Sequence, residues 1–532
     1  MRCSNKRRNL QIREAGSRKA MLRPVLVTAS VALLLSAGLL TGQGGASEGG
    51  ASGSGASQGE AERIAAVVAP TTDFSKPERF ERMSGGAATS TKYVNRDAFS
   101  QPSANMPFER QLDFRVGNGI FKKVWVSAPA STTASDGLGP LFNARSCQRC
   151  HLKDGRGHPP AGNWPADNAT SMFLRLSVPP RTAEERELLA SRRAKVIPEP
   201  VYGGQLQDLA VQGHAAEGKM WITYETVPVT LADGTVVELR KPSYSVAEPG
   251  YGPLDPEVML SPRIAQPMIG LGLLEAIDEA DILAQADPED RDGDGISGRP
   301  NRVWDDEARE VALGRFGWKA GNPSVRQQSA HAFRGDIGIS NVVASAAWGD
   351  CTAAQDRCRD APDGNTPAQD GFEASNTMLD LVVFYSRNLA VPARRDLDDP
   401  EVLAGKKLFY DSGCVACHRP KYVTRRDADN PEQSFQLIWP YSDLLLHDMG
   451  PGLADGRPEG EADGQEWRTP PLWGIGLTET VNGHSFFLHD GRARNLLEAI
   501  LWHGGEAEAA KQKVVAMSKT ERDRLIRFLN SL

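Results

Sequence analysis

The sequence predicts a mainly α-helical fold with irregular loops and a few short strands, divided into two domains that each hold a Cys-x-x-Cys-His motif. Three observations carry that expectation. A chain of 532 residues exceeds one domain at roughly 150 residues each. Its 52 glycines and 35 prolines interrupt regular structure, so helices and strands must be short. The motifs Cys147-Gln148-Arg149-Cys150-His151 and Cys414-Val415-Ala416-Cys417-His418 stand in separate parts of the chain, one for each domain.

Composition is that of a globular protein, 40% hydrophobic and 24% charged. A formal net charge of −7 offers no concentrated basic face, so no nucleic-acid partner is expected. Residues 1–46 read as a secretory signal peptide. Lys6, Arg7, Arg8, Arg13, Arg18, Lys19 and Arg23 precede an apolar stretch over 25–40, and cleavage after Ala46 fits the small-residue rule. Met21 is an alternative start, and an uncleaved anchor is the alternative to cleavage. The apolar stretch is short for a span, so no stable membrane span is expected after cleavage and the periplasm is the expected compartment.

Residues 47–75 are read as a flexible Gly/Ser/Ala linker, because 42–60 cannot bury enough apolar surface to fold. Residues 76–395 form the expected first domain with insertions. Within it, 182–195 and 376–388 carry helical patterns, and strand-like runs at 220–229 and 235–240 face each other across Ala232-Asp233-Gly234. Residues 396–532 form the expected C-terminal domain. Asp399-Pro400 opens a helical segment over 401–410 that ends just before the second motif. Ser518-Lys519-Thr520-Glu521 is a capping box that opens a final helix. Helix, motif, loop and final helix is the layout of a small cytochrome c domain, so two cytochrome c-like haem domains are expected.

The chemistry of the motifs supports that layout. In Cys-x-x-Cys-His two thiols add to the haem vinyl groups, and the adjacent imidazole becomes the proximal iron ligand. Cys147, Cys150, Cys414 and Cys417 would thus attach two haem c groups, with His151 and His418 on the irons. A zinc or thioredoxin-type reading competes poorly, because both copies carry the His and no further ligand pair lies near. Cys351 and Cys358 are spaced for either a disulfide or two free thiols, and Cys3 precedes the export segment. For the sixth ligand of the second iron the strongest candidate is His503, at the end of the apolar helical stretch 496–503. The plainer alternative is a capping or surface imidazole.

The chain resembles the di-haem oxidoreductase family, relatives of bacterial di-haem cytochrome c peroxidases often labelled thiol oxidoreductases. The resemblance runs from about residue 95 to the end. It rests on Asp136-Gly137-Leu138-Gly139-Pro140-Leu141-Phe142-Asn143 before the first motif and Lys153-Asp154-Gly155-Arg156-Gly157 after it. Ser261-Pro262-Arg263, Gly314-Arg315-Phe316-Gly317-Trp318, Arg468-Thr469-Pro470-Pro471-Leu472-Trp473-Gly474 and Leu488-His489-Asp490-Gly491-Arg492 add to it. In the peroxidase relatives, a residue after the His-Asp-Gly motif and a Leu-Glu-Ala-type helix closes the second haem, as Met, or as Tyr in the methylamine dehydrogenase maturation enzyme. Here His503 stands at that place, which implies a His/His haem of lower potential than a His/Met one. The resemblance also implies that the first haem, on His151, is the reactive one.

Candidates for the distal side of the first haem are His158, His214 and His331, each of which is more simply an ordinary surface or core residue. His447 and Met449 lie in the second domain, where they are candidates to face its haem instead. An open first site would use a nearby acid or amide to assist O–O cleavage, and Trp318 and Trp502 are positioned in sequence as relays or as plain packing. Asp290, Asp292 and Asp294, followed by Gly295 and Gly298, give D-x-D-x-D-G, a possible calcium loop with Asn301 where Glu is usual. The alternative is a solvated Asx turn. Related di-haem enzymes hold calcium between the haems, but this motif does not clearly match that site.

The expected function is therefore an exported, peroxide-linked di-haem oxidoreductase. Its expected partners are a small redox-protein electron donor or acceptor and hydrogen peroxide or another small oxidant. A non-catalytic di-haem electron carrier and a radical-based protein-modifying enzyme are the alternatives.

Overall fold

Two glycines set the architecture around the two motifs. In the computed structural model, which describes residues 58–168 and 170–532, helix α1 (Gln111–Lys122) crosses α2 (Asn376–Arg387) at Gly117. A Cβ there would lie 2.2 Å from the Leu381 carbonyl oxygen and 2.8 Å from the Tyr385 Cβ. Helix α3 (Pro400–Asp411) crosses α4 (Lys519–Ser531) in the same way at Gly405. There a Cβ would meet the Arg524 carbonyl oxygen at 2.0 Å and the Phe528 Cβ at 2.9 Å. Only a residue without a side chain lets the backbones approach so closely.

One turn beyond each glycine a phenylalanine points inward. Phe121 lies 5.3 Å from Tyr385, and Phe409 lies 5.2 Å from Phe528, ring centre to ring centre. Each also reaches a motif imidazole, Phe121 to His151 and Phe409 to His418, both at 6.2 Å. Each motif is thus flanked by the same crossed pair of helices with the same aromatic wedge.

The helices expected from sequence begin at the residues that cap them. The side chains of Thr182, Ser375, Asp399 and Ser518 accept backbone N–H bonds at the starts of Ala183–Ala190, α2, α3 and α4. Strand content is larger than a few short runs. The longest strands among the described residues are β1 (Met172–Ser177), β2 (Lys219–Thr230), β3 (Val236–Ala247) and β4 (Met259–Ile264); β2 and β3 form a hairpin of 12-residue strands, and β4 pairs antiparallel with β1. The hairpin turns where expected, with the Gly234 N–H donating to Leu231 and Thr235 N–H to Asp233 Oδ1 at 3.0 Å. It runs longer than its apolar alternation because ladder bonds continue through polar residues such as Glu225 and Lys241.

The signal peptide and the first part of the linker lie outside the described residues. The linker reading is corrected beyond them. Gln58–Val68 is an α-helix, built from good helix formers such as Ala61, Glu62, Ala65 and Ala66. Glu60 ties it to Arg426 at 3.1 Å.

Residues 58–532 pack as one compact unit, and two cores both cross position 396. One joins Phe121, Trp125 and Tyr385 to Tyr422, Leu444 and Trp473. The other joins Leu174, Tyr202 and Trp318 to Phe409, Trp467 and Phe528. Apolar faces of the inserted strands are buried against the C-terminal segment, so packing does not separate the chain at 395/396. Among the described residues no helix is long and apolar enough to cross a membrane. Cys351 and Cys358 form a disulfide.

Candidate functional site

Both motifs fold as a single tight turn that gathers three side chains. Cys147–Cys150 is one turn of α-helix, and the His151 N–H closes onto the Cys147 carbonyl at 3.0 Å. Cys414–Ala416 is one 3-10 turn after Gly413, with the His418 N–H on Cys414 at 2.9 Å. The four thiols are free of disulfides. Burial pushes Cys147 and Cys414 up to about 12 and also raises Cys150 and Cys417. At all four the buried surroundings disfavour the thiolate.

The imidazoles are set by backbone carbonyls. His151 Nδ1 donates to Gln266 at 2.8 Å, and His418 Nδ1 to Tyr441 at 2.9 Å. His503 follows the helix Leu496–Leu501, which Asn495 caps, and its Nδ1 donates to Ala499 at 2.8 Å. A carbonyl can only accept, so each Nδ1 carries the hydrogen and each Nε2 keeps its lone pair for a metal. Burial lowers His151 and His503 and brings His418 down to about 4, and the nearby His503 imidazole adds to the fall at His418. His503 is thus near enough for its charge to act on His418.

His151 has different neighbours: Gln266, Gly155 and the carboxyl of Asp336 act on it, with no second imidazole among them. The distal candidates read from sequence do not gather there. His331 spends both ring nitrogens, on Asn322 and Asp306. His158 is exposed and packs on His484 at 5.1 Å, and His214 is not among the groups acting on His151. His447 lies beside the second motif, 3.6 Å from Cys417 Sγ, but both ring nitrogens are engaged. Nε2 bonds Asp443 at 2.8 Å and Nδ1 bonds Glu506 at 2.6 Å. Burial opposes its charge, but Asp443 and Cys417 together outweigh that effect and hold His447 well above its ordinary pKa.

A buried route links the motif loops. Trp318 Nε1 donates to Ile264, two residues before Gln266, and the Trp318 carbonyl accepts from Arg468 N. Ser442 Oγ donates to the Thr469 carbonyl at 2.6 Å, beside the Tyr441 that anchors His418. Trp502 is buried under the Arg492 guanidinium, 4.8 Å from its ring centre.

The ligand oxygens of Asp290, Asp292 and Asp294 lie within 4.8 Å of one another on an exposed turn. Those carboxylates accept N–H bonds from Gly295, Asp294 and Ile296. Asn301 is buried and occupied elsewhere: its amide donates to Lys319 and Glu459, and its oxygen accepts from Glu461 N. It supplies no twelfth ligand.

Two turns of paired thiols and a free imidazole Nε2, in apolar surroundings, are the residue set of a protein that holds two haems. A family model described as "Di-haem oxidoreductase, putative peroxidase" matches residues 80–532, and the chain belongs to this family. It is an oxidoreductase and its cofactor is haem. None of the curated proteins compared matches the chain. A solved structure of hydrazine synthase from Kuenenia stuttgartiensis, pressurised with 20 bar xenon, is 16% identical, with 50% of this chain and 87% of that chain covered and a TM-score of 0.21.

Sequence reasoning missed the anchors Gln266 and Tyr441, since any residue can supply a carbonyl. It also missed α1, whose Gly117 and Phe121 repeat the spacing of Gly405 and Phe409. That Gly-x-x-x-Phe repeat was the available signal.

Proposed function

We propose that the chain is an exported di-haem c-type cytochrome oxidoreductase of peroxidase type. Cys147 and Cys150 attach one haem and His151 ligates its iron; Cys414 and Cys417 attach the other, with His418 and His503 as its two ligands. The single observation behind this division is the unequal company of the two motif imidazoles: the His503 and His447 rings act on His418, whereas no second imidazole acts on His151. An iron between two imidazoles passes electrons, whereas an iron with no second protein ligand has room for an oxidant.

Haem supplies the redox change and the binding position for hydrogen peroxide or another small oxidant. The chain does the rest. Gln266 and Tyr441 fix the two imidazoles in one tautomer, and Phe121 and Phe409 wedge them from the side. The Ile264–Trp318–Arg468 contacts support a through-protein route between the sites. Reducing one peroxide to two waters consumes two electrons, from a small redox protein, and two protons. The Cys351–Cys358 disulfide supports an oxidising compartment such as the periplasm.

His503→Ala tests the assignment. It is expected to open the second iron and convert its low-spin optical and EPR signals to high spin, while His151→Ala abolishes peroxide turnover. Unchanged spectra in His503→Ala would remove His503 from the iron.

Calcium at Asp290, Asp292 and Asp294 is part of the same proposal, supported by the convergence of their oxygens. Calcium at about 100 times its dissociation constant should stabilise the fold by about 2.7 kcal/mol, read as a rise in melting temperature. Asp292→Asn should remove the rise, and equal melting with and without chelator in the parent chain would exclude the site.

A further inference from the structure

We propose that Glu506 is a positioning residue for the second haem: through His447 and Asp443 it ties the turn that follows His503 to the loop that carries His418, and so keeps His503 on the iron. This inference rests on the reading of His418 and His503 as the two ligands of that iron.

The tie begins on the His418 side, where residues 441–443 grip the motif loop at three points. The Tyr441 carbonyl accepts from His418 Nδ1 at 2.9 Å, Ser442 N donates to the Arg419 carbonyl at 2.9 Å, and Asp443 N donates to the Cys417 carbonyl at 3.0 Å. The Asp443 carboxylate then faces the next strand. Its Oδ1 accepts from Leu445 N at 3.0 Å, and its Oδ2 accepts from His447 Nε2 at 2.8 Å. His447 is held there in turn, because Leu446–Asp448 pairs antiparallel with Glu466–Arg468.

From His447 the tie crosses to the His503 side. Nδ1 donates to Glu506 Oε2 at 2.6 Å, three residues past His503. Ser297 N reaches the same oxygen at 3.1 Å, while Oε1 accepts from Ser297 Oγ at 2.6 Å and from Asp448 N at 3.2 Å. Four donors therefore converge on one carboxylate. The side chains of Asp443, His447 and Glu506 are 2%, 3% and 10% exposed, so little water is at hand to replace a lost partner. Charge-assisted hydrogen bonds are strong in such surroundings, and breaking one strands its partner.

The backbone between His503 and Glu506 leaves no slack. A Cβ on Gly505 would lie 2.2 Å from the Asp448 carbonyl oxygen and 2.7 Å from Gly450 N, and one on Gly504 would lie 3.0 Å from the Met449 carbonyl oxygen. Gly505 has a φ of +54°, a conformation that glycine adopts freely. The two glycines thus lie against 448–450, and Ala507 N closes the turn onto the Gly504 carbonyl at 3.0 Å. On its other side His503 is fixed to the helix Leu496–Leu501 by its own N–H on Ile500 at 3.0 Å and its Nδ1 on Ala499 at 2.8 Å. The imidazole can leave the iron only if that helix or the Gly504–Gly505 crossing moves, and Glu506 locks the crossing. Partners that orient a metal ligand in this way are worth about 10- to 100-fold in ligation.

The test uses the full chain with both haems attached. His503→Ala serves as the reference for an open second iron. EPR and optical spectra report spin state, and carbon monoxide titration of the reduced protein reports how firmly the sixth position is closed. Glu506→Ala is expected to convert part of the second-haem signal to high spin and to tighten carbon monoxide binding there about 10- to 100-fold, with two haems per chain and unchanged first-haem signals. Glu506→Gln keeps an acceptor facing His447 and should recover part of the effect. Ser297→Ala, which touches neither haem loop, should shift the same signals in the same direction by less. If His503→Ala opens the iron but Glu506→Ala keeps parent spectra and an affinity within about threefold of the parent, the inference fails while the ligand reading stands. A loss that falls equally on both haems also overturns it, since that marks general loosening of the fold. If Glu506→Ala does not fold, parent-like affinities in both Glu506→Asp, one methylene short of His447, and Ser297→Ala overturn it. Unchanged spectra in His503→Ala defeat the ligand reading, and this inference with it.

Discussion

Changing Cys414 and Cys417 together to serine is expected to halve the covalently bound haem, from two per chain to one. A thioether forms when S–H adds across a vinyl double bond, and a serine hydroxyl does not make that addition. Each motif turn presents both thiols beside one imidazole within four or five residues, so one loop serves three bonds. Without the thiols, the proposed ligands His418 and His503 would hold iron only reversibly, and the porphyrin would wash out. Protein made in a host with working cytochrome maturation is extracted with acid-acetone, and the residual pigment is quantified as the pyridine haemochrome. The parent should retain two haems, the Cys414/Cys417 variant one, and a matching Cys147/Cys150 variant one. Pigment that leaves the parent during extraction would end the c-type reading, whatever the variants do.

The two motif turns were legible because they are local. Cys-x-x-Cys-His needs only five residues in a row, and the structure folds each copy as one turn. The short apolar helix that precedes His503 was legible for a related reason, since Asn495 caps its start. The helix ends declared themselves through caps such as Ser375 and Ser518. What stayed hidden depends on chain segments far apart in sequence. Gly117 looks like an ordinary weak point in a helix until Leu381 and Tyr385 press against it. The single-unit packing across position 396 arises from strands whose apolar faces meet C-terminal helices, and no local pattern encodes that partner.

Removing Glu81 is expected to destabilise the fold by about 3–5 kcal/mol, the cost of leaving buried cations without their anion. Its carboxylate is 1% exposed. Oε1 accepts from Lys406 Nζ at 2.7 Å and also pairs with Arg394, and the Tyr441 hydroxyl lies 3.4 Å away. Glu78 shares Lys406 at 2.8 Å and binds Lys421. The cluster thus joins the stretch 78–81 to α3 and to the residue whose carbonyl holds His418. Glu81→Ala strands Lys406 and Arg394, while Glu81→Gln keeps the shape and loses the charge, so Ala should cost more. The pH dependence has a definite sign. Burial raises the Glu81 pKa, but Arg394 and Lys406 outweigh it, so the folded value lies below the ordinary 4.5. A carboxyl depressed in the folded state contributes its stability above the unfolded value and loses it as pH falls through the folded one. The parent chain should therefore lose stability on acidification below that value, and both variants should show a shallower acid limb. Denaturant unfolding at pH 7 and across the acid range measures both effects. A loss under about 1 kcal/mol in Glu81→Ala, or an acid limb as steep as the parent's, would mean that the buried cations find other partners.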